Sequence, residues 1–278
     1  MSCRVTILQT NIKWADPDAN QKALESALLS SEKSDLYVLP EMWDTGFMAG
    51  ERLEAEETQL SIVNCPLGTC DAFTKATSRL KELSIKKMQQ LAKHFDAAIA
   101  GSLDVEENGR RYNRFYFVTP TDTYYYDKRH LFSYAGEDKN FAAGDERTIV
   151  EWRGVKFLLQ VCYDLRFPCF SRNRLTADGT PLYDAIIYVA NWPASRRRVW
   201  DVLLQARALE NQCFVVGVNR VGDDPNCHYD GGSAIIDAKG KILANVQDET
   251  AASATALLDM ESLNAFRAKF PVLRDADK

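Results

Sequence analysis

The chain has 278 residues, with 34 Lys and Arg against 39 Asp and Glu, a formal net charge of −5, and 46% hydrophobic residues. This is the composition of an ordinary globular protein, and a chain of this length can build its core without metals or disulfides. The only tight basic run is 196–198, which argues against nucleic-acid binding. Because no run approaches ~18 apolar residues and the N-terminus does not resemble a signal peptide, we expect a cytoplasmic protein without a membrane segment.

The first helix is predicted to begin at Pro17, with Asp16 as its N-cap and with Leu24, Ala27 and Leu28 on one face. A second helix is predicted over 71–95, and a third over 195–211. The second would turn these residues inward: Leu80, Leu83, Met88, Leu91 and Phe95. The third would turn these inward: Trp200, Leu203, Leu204 and Ala208.

Short apolar runs, rich in β-branched and aromatic residues, alternate with these helices from RVTILQT near the start to KILANV near the end. Several of the runs are nearly continuous in apolar residues, which is typical of strands covered on both faces. No Pro-, Gly- or Ser-rich linker interrupts them. The sequence therefore predicts one α/β domain over 1–278, with a layered core and helices outside, and a loop over 50–70.

The seven cysteines are odd in number and irregularly spaced, which favours reduced thiols over a disulfide framework. Cys65 and Cys70 could pair or hold a metal, but no second Cys or His pair lies at ligand spacing. The three histidines are scattered along the chain. We therefore predict no metal site.

Three predicted strands end abruptly on a reactive or charged residue: Glu41, Lys128 and Cys162. Ligands of open α/β sheets bind at the carboxyl ends of the strands, so these side chains are candidates to meet around a substrate. Cys162 follows the apolar run VKFLLQV, and Pro168 suits the first turn of a following helix, which would favour the thiolate. The alternative for this cysteine is a small buried hydrophobe.

A nucleophilic thiol needs a base, and the usual partner is histidine. His130 and His228 offer no persuasive arrangement, and His130 is expected to fix a loop through hydrogen bonds. Burial raises the pKa of a carboxyl group toward the range that is useful for proton transfer. Glu41 is therefore the better base candidate, with a capping role as the alternative. Lys128 would supply fixed positive charge to a developing oxyanion, and its alternative is an ordinary surface lysine.

Three segments resemble the signature segments of the nitrilase superfamily of carbon–nitrogen hydrolases: VLPEMWDTGF (38–47), YDKRHLF (126–132) and QVCYDLRFP (160–168). The resemblance implies a Glu–Lys–Cys catalytic triad at Glu41, Lys128 and Cys162. It also implies a second glutamate at Glu137, with Asp138 as the alternative. The expected fold is a four-layer αββα sandwich, commonly as a homodimer or a larger homo-oligomer.

Three segments are most similar to those of bacterial omega-amidases: EMWDTGF, ANWPA and KFPVLRDAD. Those enzymes hydrolyse the side-chain amide of α-keto acids such as 2-oxoglutaramate and 2-oxosuccinamate. This resemblance implies a small-molecule amide substrate and no cofactor. The segment 50–80 is longer than the corresponding connection in relatives. It would form part of the pocket rim or a subunit contact.

In the implied mechanism the Cys162 thiolate attacks the amide, and the Tyr163 backbone N–H joins Lys128 in binding the oxyanion. A substrate carboxylate needs a cationic anchor, for which Arg196 is the candidate. Phe47 and Trp192 could form pocket walls. The remaining arginines of these segments are expected to avoid substrate: Arg166 in an ion pair that holds the nucleophile turn, and Arg197 and Arg198 in solvent.

Three alternatives stay open. Another superfamily activity, such as hydrolysis of N-carbamoyl amines, would keep the same Glu–Lys–Cys set. A thiol peptidase would instead pair Cys162 with His130 or His228. A catalytically silent binding module would keep the fold without the chemistry.

Overall fold

The structure is a computed structural model that describes residues 2–48 and 70–276, with 70–82 described only as helix backbone. The predicted loop over 50–70 lies outside the described residues, apart from its last residue. The rim or subunit-contact role predicted for 50–80 and any pairing of Cys65 with Cys70 also lie outside them.

Within the described residues, the helices and strands alternate as the sequence predicts. The helices are α1 (Pro17–Ser30), α2 (Cys70–Phe95), α3 (Glu137–Asn140), α4 (Pro168–Ser171), α5 (Arg197–Asn211) and α6 (Met260–Lys269). The strands are β1 (Ser2–Gln9), β2 (Leu36–Val38), β3 (Ala98–Glu107), β4 (Arg110–Val118), β5 (Thr123–Asp127), β6 (Ile149–Trp152), β7 (Val155–Val161), β8 (Ala185–Ala190), β9 (Phe214–Asn219), β10 (Val221–Asp223), β11 (His228–Asp230), β12 (Ala234–Ile236), β13 (Ile242–Asn245) and β14 (Ala252–Asp259).

The strands of the described residues form two six-stranded sheets and a small hairpin, β10–β11. The first sheet has the order β14-β1-β2-β3-β4-β5, and the second has the order β13-β12-β9-β8-β7-β6. Each sheet has a parallel centre, β1-β2-β3 in the first and β7-β8-β9 in the second, flanked by antiparallel strands. Parallel strands buried on both faces explain why these runs are nearly continuous in apolar residues.

The two sheets pack face to face and share one apolar core. Phe117 of the first sheet and Phe157 of the second lie with their ring centroids 5.8 Å apart within it. Helices α1 and α2 cover the outer face of the first sheet. Helix α5 covers the outer face of the second through Trp200 and Leu204. The layers therefore run helix, sheet, sheet, helix, which confirms the predicted αββα sandwich.

Helix α1 has the predicted start and inner face. The Asp16 carboxylate accepts a hydrogen bond of 3.0 Å from the Ala19 N–H, Pro17 begins the helix, and Leu24 and Leu28 are buried. An N-cap of this kind satisfies a backbone donor that the first helical turn leaves unpaired.

The inner face of α2 is rotated from the predicted one. Leu83 was expected inward, but it is 47% exposed, and Ser84 is buried beside it. The Ser84 hydroxyl donates to Asp44 Oδ2 at 2.8 Å, which ties the helix to the loop after β2. Met88 and Leu91 are buried as predicted. The apolar pattern failed only near Ser84, because the pattern does not include a polar contact of this kind.

Helix α5 is preceded by a 3-10 turn, Ala194–Arg196, so the α-helical part begins two residues later than predicted. Trp200, Leu204 and Ala208 are buried, and Leu203 is half-buried against them. The inner face predicted for this helix is confirmed.

Candidate active site

A cavity of about 440 Å³ lies beside the residues that follow β2, β7 and β8. The half-buried Cys162 lines it, together with the four side chains predicted to contact substrate: Phe47, Tyr163, Trp192 and Arg196. Cavities of this size that combine apolar walls with a few polar groups are typical small-molecule sites.

Behind Cys162 lies a fully buried cluster of three ionisable side chains, Glu41, Lys128 and Glu137, here named the Glu–Lys–Glu cluster. Lys128 Nζ lies 3.0 Å from Glu41 Oε1 and 2.9 Å from Glu137 Oε2. Two carboxylates thus share one ammonium, and the cluster carries a net negative charge when all three groups are ionised. Asp138 is exposed, so the structure brings Glu137, and not its neighbour, to the lysine.

Two asparagines hold the carboxylates of this cluster in place. Asn113 Nδ2 donates to Glu41 Oε1 at 2.7 Å and to Glu137 Oε1 at 3.1 Å. The Asn191 N–H donates to Glu41 Oε2 at 2.8 Å, and its side chain donates to the Glu41 carbonyl at 2.7 Å. Each oxygen of Glu41 therefore accepts a directed hydrogen bond, which fixes the orientation of the carboxylate.

The sequence interpretation missed both asparagines. Asn191 directly follows β8, so it has the same strand-end position that singled out Cys162. That signal could have found it. Asn113 lies inside β4 between Tyr112 and Arg114, away from any strand end, and the sequence gives no such signal for it.

Local backbone structure brings the cluster residues together. Glu41 lies in a turn after β2, and the next residue, Met42, has a φ of +42°, with its N–H bound by Ser102 Oγ at 2.9 Å. Lys128 follows β5, and Glu137 begins α3 after Gly136, whose φ of +75° suits glycine. Glu137 Oε2 also accepts the Phe132 N–H at 2.6 Å, which closes the loop between these residues.

Cys162 lies at the sharp turn from β7 into a 3-10 helix, Cys162–Arg166, and its φ is +46°. A positive φ is unfavourable for a residue with a Cβ and is typical of functional turns held by their surroundings. The Sγ atom lies 4.0 Å from the Asn191 carbonyl oxygen. The turn directs the thiol into the cavity, where a substrate carbonyl can reach it.

Asp164, another residue missed from the sequence, joins this turn to the segment that carries Lys128. Its fully buried carboxylate accepts the Val161 N–H at 2.9 Å and the Tyr126 hydroxyl at 2.8 Å. It also accepts the His130 N–H at 3.0 Å and lies 2.7 Å from His130 Nδ1. The predicted loop-fixing role of His130 is confirmed.

Burial and neighbouring charges set the protonation of the site. Burial raises the pKa of the Cys162 thiol well above its usual value, the Glu41 carboxylate raises it further, and the Lys128 ammonium opposes both. Burial lowers the pKa of Lys128, but the charges of Glu137 and Glu41 outweigh it and raise that pKa. Burial likewise raises the pKa of Glu137 against the opposing Lys128 charge. The resting site therefore holds a neutral thiol beside a charged ammonium.

The expected thiolate at a helix N-terminus is thus wrong for the resting enzyme. Pro168 does begin a helix, but α4 has only four residues and starts beyond the 3-10 turn. A short helix contributes little positive potential, and burial outweighs it.

The carbon–nitrogen hydrolase family model matches residues 4–268. The chain belongs to this family. This hydrolase is 43% identical over 277 residues to the omega-amidase YafV of Yersinia enterocolitica, across 99% of this chain and 97% of that protein. It is 32% identical over 281 residues to the 2-oxoglutaramate amidase of Bacillus subtilis, across 100% and 99%. The crystal structure of XC1258 from Xanthomonas campestris, a CN-hydrolase superfamily protein with an arsenic adduct in its active site, has a TM-score of 0.87 and 36% identity, across 100% and 98%.

Two arginines of this hydrolase depart from expectation. Arg166 forms no ion pair with a described residue. It lines the cavity, with Cζ 5.0 Å from the centroid of the Trp192 ring. Arg197 is half-buried and contacts three carboxylates, because Asp201, Asp230 and Asp248 converge on the start of α5. Arg198 is exposed, as predicted.

Neither histidine considered for a peptidase lines the cavity. His130 stacks on Phe167 at 3.9 Å between ring centroids and contacts Asp164. His228 is exposed, between Asp223 and Glu249. No geometry here favours a Cys–His pair.

Across 2–48 and 70–276, no group of three or more His, Cys, Asp and Glu side chains is placed to bind a metal ion. No helix in the same ranges has both the length and the apolar character of a membrane span.

Proposed function

We propose that the protein hydrolyses the primary amide of small α-keto acid amides, such as 2-oxoglutaramate and 2-oxosuccinamate, to the carboxylic acid and ammonia. The observation that carries the proposal is the accessible Cys162 thiol in front of a buried lysine shared by Glu41 and Glu137. Full-length similarity to an omega-amidase and to a 2-oxoglutaramate amidase supports the substrate class.

In the first step Glu41 takes the thiol proton as the Cys162 sulfur bonds to the amide carbon. A thiol with a raised pKa is a weak nucleophile on its own, so proton removal must accompany the attack. Glu41 suits this role because Lys128, Asn113 and the Asn191 N–H fix its oxygens. General base catalysis by such a group contributes about 10²–10⁴-fold.

The carbonyl π electrons move to oxygen, which becomes the oxyanion of a tetrahedral intermediate. The Lys128 ammonium and the Tyr163 backbone N–H stabilise this charge. Because the charges of Glu137 and Glu41 raise the pKa of Lys128, the ammonium keeps its proton through the step. Charge held in place before the reaction stabilises the transition state without reorganisation.

Glu41 then gives the proton to the amide nitrogen, the C–N bond breaks, and ammonia leaves a Cys162 thioester. A water molecule, deprotonated by Glu41, attacks the thioester carbon, and the sulfur departs with the returned proton. The net reaction is amide plus water to acid plus ammonia. Glu137 holds Lys128 and the Phe132 N–H throughout, which keeps the ammonium in position.

The cavity wall supplies the binding groups. Phe47 and Trp192 contribute aromatic surface, and Arg196 contributes a guanidinium for the substrate carboxylate. The Arg196 Cζ lies 5.3 Å from the centroid of the Phe132 ring. An arginine stacked on an aromatic ring keeps its charge and its planar donors available.

The test is ammonia release from 2-oxoglutaramate, 2-oxosuccinamate, glutamine, N-carbamoylputrescine and a simple nitrile. Turnover of the two keto acid amides should exceed that of the other compounds, and hydroxylamine should trap the thioester as a hydroxamate. A preference for the carbamoyl amine or the nitrile would contradict the proposed substrate class. Release of peptide fragments without ammonia would overturn the amidase proposal.

We also propose that the chain works as one domain over 1–278, in the cytoplasm and as a homodimer or a larger homo-oligomer. The core shared by both sheets supports a single domain. The described cysteines are free thiols, which supports a reducing compartment. The oligomer follows from the family resemblance, and light scattering on the purified protein tests it.

A further inference from the structure

Two guanidinium groups, those of Arg166 and Arg196, line the cavity without an ion pair to any described carboxylate. Elsewhere in the described chain, four of the five buried arginines have a carboxylate partner: Arg111 with Asp104, Arg114 with Asp127 and Arg267 with Asp184, each at 2.7 Å, and Arg207 with Glu210 at 3.0 Å. The fifth, Arg220, donates to backbone carbonyls instead. A partly desolvated guanidinium without a counterion is costly. The cavity arginines are therefore suited to an anion that arrives with the substrate.

Trp192 holds both arginines in position. Its ring lies under the Arg166 guanidinium at 5.0 Å, and its Nε1 donates to the Arg196 carbonyl at 2.9 Å. The tryptophan is itself buried, and its backbone N–H donates to Asn219 Oδ1 at 2.8 Å. Trp192 thus supports the Arg166 guanidinium and the Arg196 backbone, while the Arg196 guanidinium lies over the Phe132 ring. Cations held in place in this way lower the entropy cost of binding an anion.

The 3-10 helix Cys162–Arg166 carries the thiol at its first residue and the Arg166 guanidinium at its last. One short rigid turn therefore presents both the nucleophile and a cation to the same cavity. Asp164 fixes the turn from inside through the Val161 N–H and the Tyr126 hydroxyl. The turn fixes the backbone positions of both residues, and the Trp192 ring contacts the Arg166 guanidinium.

Charge orients a substrate in this cavity. When all three of its groups are ionised, the Glu–Lys–Glu cluster is net negative and repels a carboxylate, while the two arginines attract it. Asp224, a carboxylate that also lines the cavity, accepts hydrogen bonds from the N–H groups of Asn226 and Cys227 and from the Tyr229 hydroxyl. Its oxygens are therefore occupied by hydrogen bonds within the β10–β11 hairpin, and the two arginines remain available to bind a substrate.

We infer that Arg166 is a specificity-determining residue that, with Arg196, clamps the carboxylate at the end of the substrate opposite the scissile amide. The inference rests on the proposed amidase function and extends it. A keto acid offers a carboxylate and an adjacent carbonyl oxygen as acceptors for two guanidinium groups. An amino acid such as glutamine places an ammonium there instead, which both arginines repel. The clamp therefore selects keto acid amides over amino acid amides and over neutral amides.

The kinetic test compares Arg166→Met and Arg166→Lys with Arg198→Met, a matched control at an exposed arginine outside the cavity. With 2-oxoglutaramate, Arg166→Met should raise KM about tenfold or more while kcat changes less than about threefold. With pentanamide, a neutral amide of the same length, kcat/KM should stay unchanged. Arg166→Lys should recover part of the affinity, and the control should match the wild type.

An equal loss on charged and neutral amides would mean that Arg166 only supports the turn, and it would overturn the inference. An unchanged KM for 2-oxoglutaramate would overturn it as well. Because Arg166→Met could impair folding, its thermal unfolding is measured beside that of Arg166→Lys.

A binding measurement separates this inference from the proposed function. Calorimetric titration of 2-oxoglutaramate into Cys162→Ala and into Cys162→Ala/Arg166→Met needs no turnover, and the second protein should bind about tenfold more weakly. If the wild type does not hydrolyse 2-oxoglutaramate but the affinity difference is found, the amidase proposal fails and the clamp stands. If hydrolysis occurs and both proteins bind equally, the clamp fails alone.

Discussion

The Glu–Lys–Glu cluster and the cavity wall differ in how their charges are balanced. In the cluster every charge is fully buried and has partners within the chain: Lys128 lies between Glu41 and Glu137, and Asn113 bridges the two carboxylates. In the wall, Arg166 and Arg196 are half-buried, lie on aromatic rings and have no described counterion. The charges of the cluster have partners without substrate, whereas the charges of the wall gain a partner only when an anionic substrate binds.

This difference separates chemistry from recognition. A preorganised cluster should control kcat, because its charges act on the transition state. An incomplete wall should control KM, because its charges are neutralised when substrate binds. Variants in the cluster and in the wall test this division.

The largest effect is expected at Cys162, where the cluster meets the wall. Cys162→Ala removes the nucleophile and should lower kcat about 10⁴–10⁶-fold, while the protein still binds substrate. Ammonia release measures the loss. Cys169→Ser, at an exposed thiol outside the cavity lining, is the control and should keep full activity. Comparable loss in both variants would contradict the assignment.

Lys128→Met tests whether the cluster depends on its one cation. Glu41 and Glu137 would then face each other in a buried site, and one carboxyl group would have to take up a proton. Removing one partner from a buried ion pair costs about 3–5 kcal/mol, so the free energy of unfolding should fall by that amount and activity should be lost.

Urea denaturation measures the cost of Lys128→Met, with Lys139→Met at a nearby exposed lysine as the control. Unchanged stability in Lys128→Met would mean that the cluster is not held by this charge.

Glu41→Gln removes the base and should lower kcat about 10²–10⁴-fold with little change in KM. The same change has a pH signature. Because the Glu41 charge raises the pKa of Cys162 and Lys128 lowers it, the thiol should ionise at lower pH in Glu41→Gln.

Iodoacetamide alkylation of Cys162, followed by mass spectrometry across pH, reports this ionisation. The rate in Glu41→Gln should rise at lower pH than in the wild type, where burial and the Glu41 carboxylate raise the pKa of the thiol. A shift to higher pH in this variant would show that the carboxylate does not act on the thiol through its charge.

Asn113→Ala should have a smaller effect on the same side of the division. It removes the donor shared by the two carboxylates at a cost of about 1–3 kcal/mol and should lower kcat without raising KM. Steady-state kinetics with 2-oxoglutaramate checks it. A rise in KM with unchanged kcat would mean that Asn113 acts in substrate binding, like the residues of the wall.

The smallest effect is expected from Arg196→Met, which should raise KM for 2-oxoglutaramate about tenfold and leave the kcat/KM of pentanamide unchanged. A loss of kcat on both amides would remove the distinction between wall and cluster. Arg198→Met again serves as the control.

Positions at the ends of predicted strands correctly indicated which residues meet at the site. Glu41, Lys128 and Cys162 each follow a predicted strand, and the structure brings the first two into contact beside the third. Asn191 also directly follows a strand, β8. Asn113 and Asp164 carried no comparable signal, because their partners lie 72 and 34 residues away.

Charged side chains away from strand ends were predicted less well. Arg166 was expected in an ion pair and Arg197 in solvent, yet Arg166 lies on Trp192 and Arg197 contacts three carboxylates. Leu83 was expected inward and is exposed. Each outcome depends on which distant element packs nearby, which a local pattern does not contain.

By itself the sequence determined the layered α/β fold, because apolar periodicity and strand-end chemistry are local properties of the chain. It also determined the residue types available for an acid, a cation and a nucleophile. Two properties could not be predicted from the sequence: Cys162 rests as a thiol, and the arginines of the cavity have no described counterion. Those properties depend on burial and on the sum of charges around each group, and both arise when strands remote in the chain pack together.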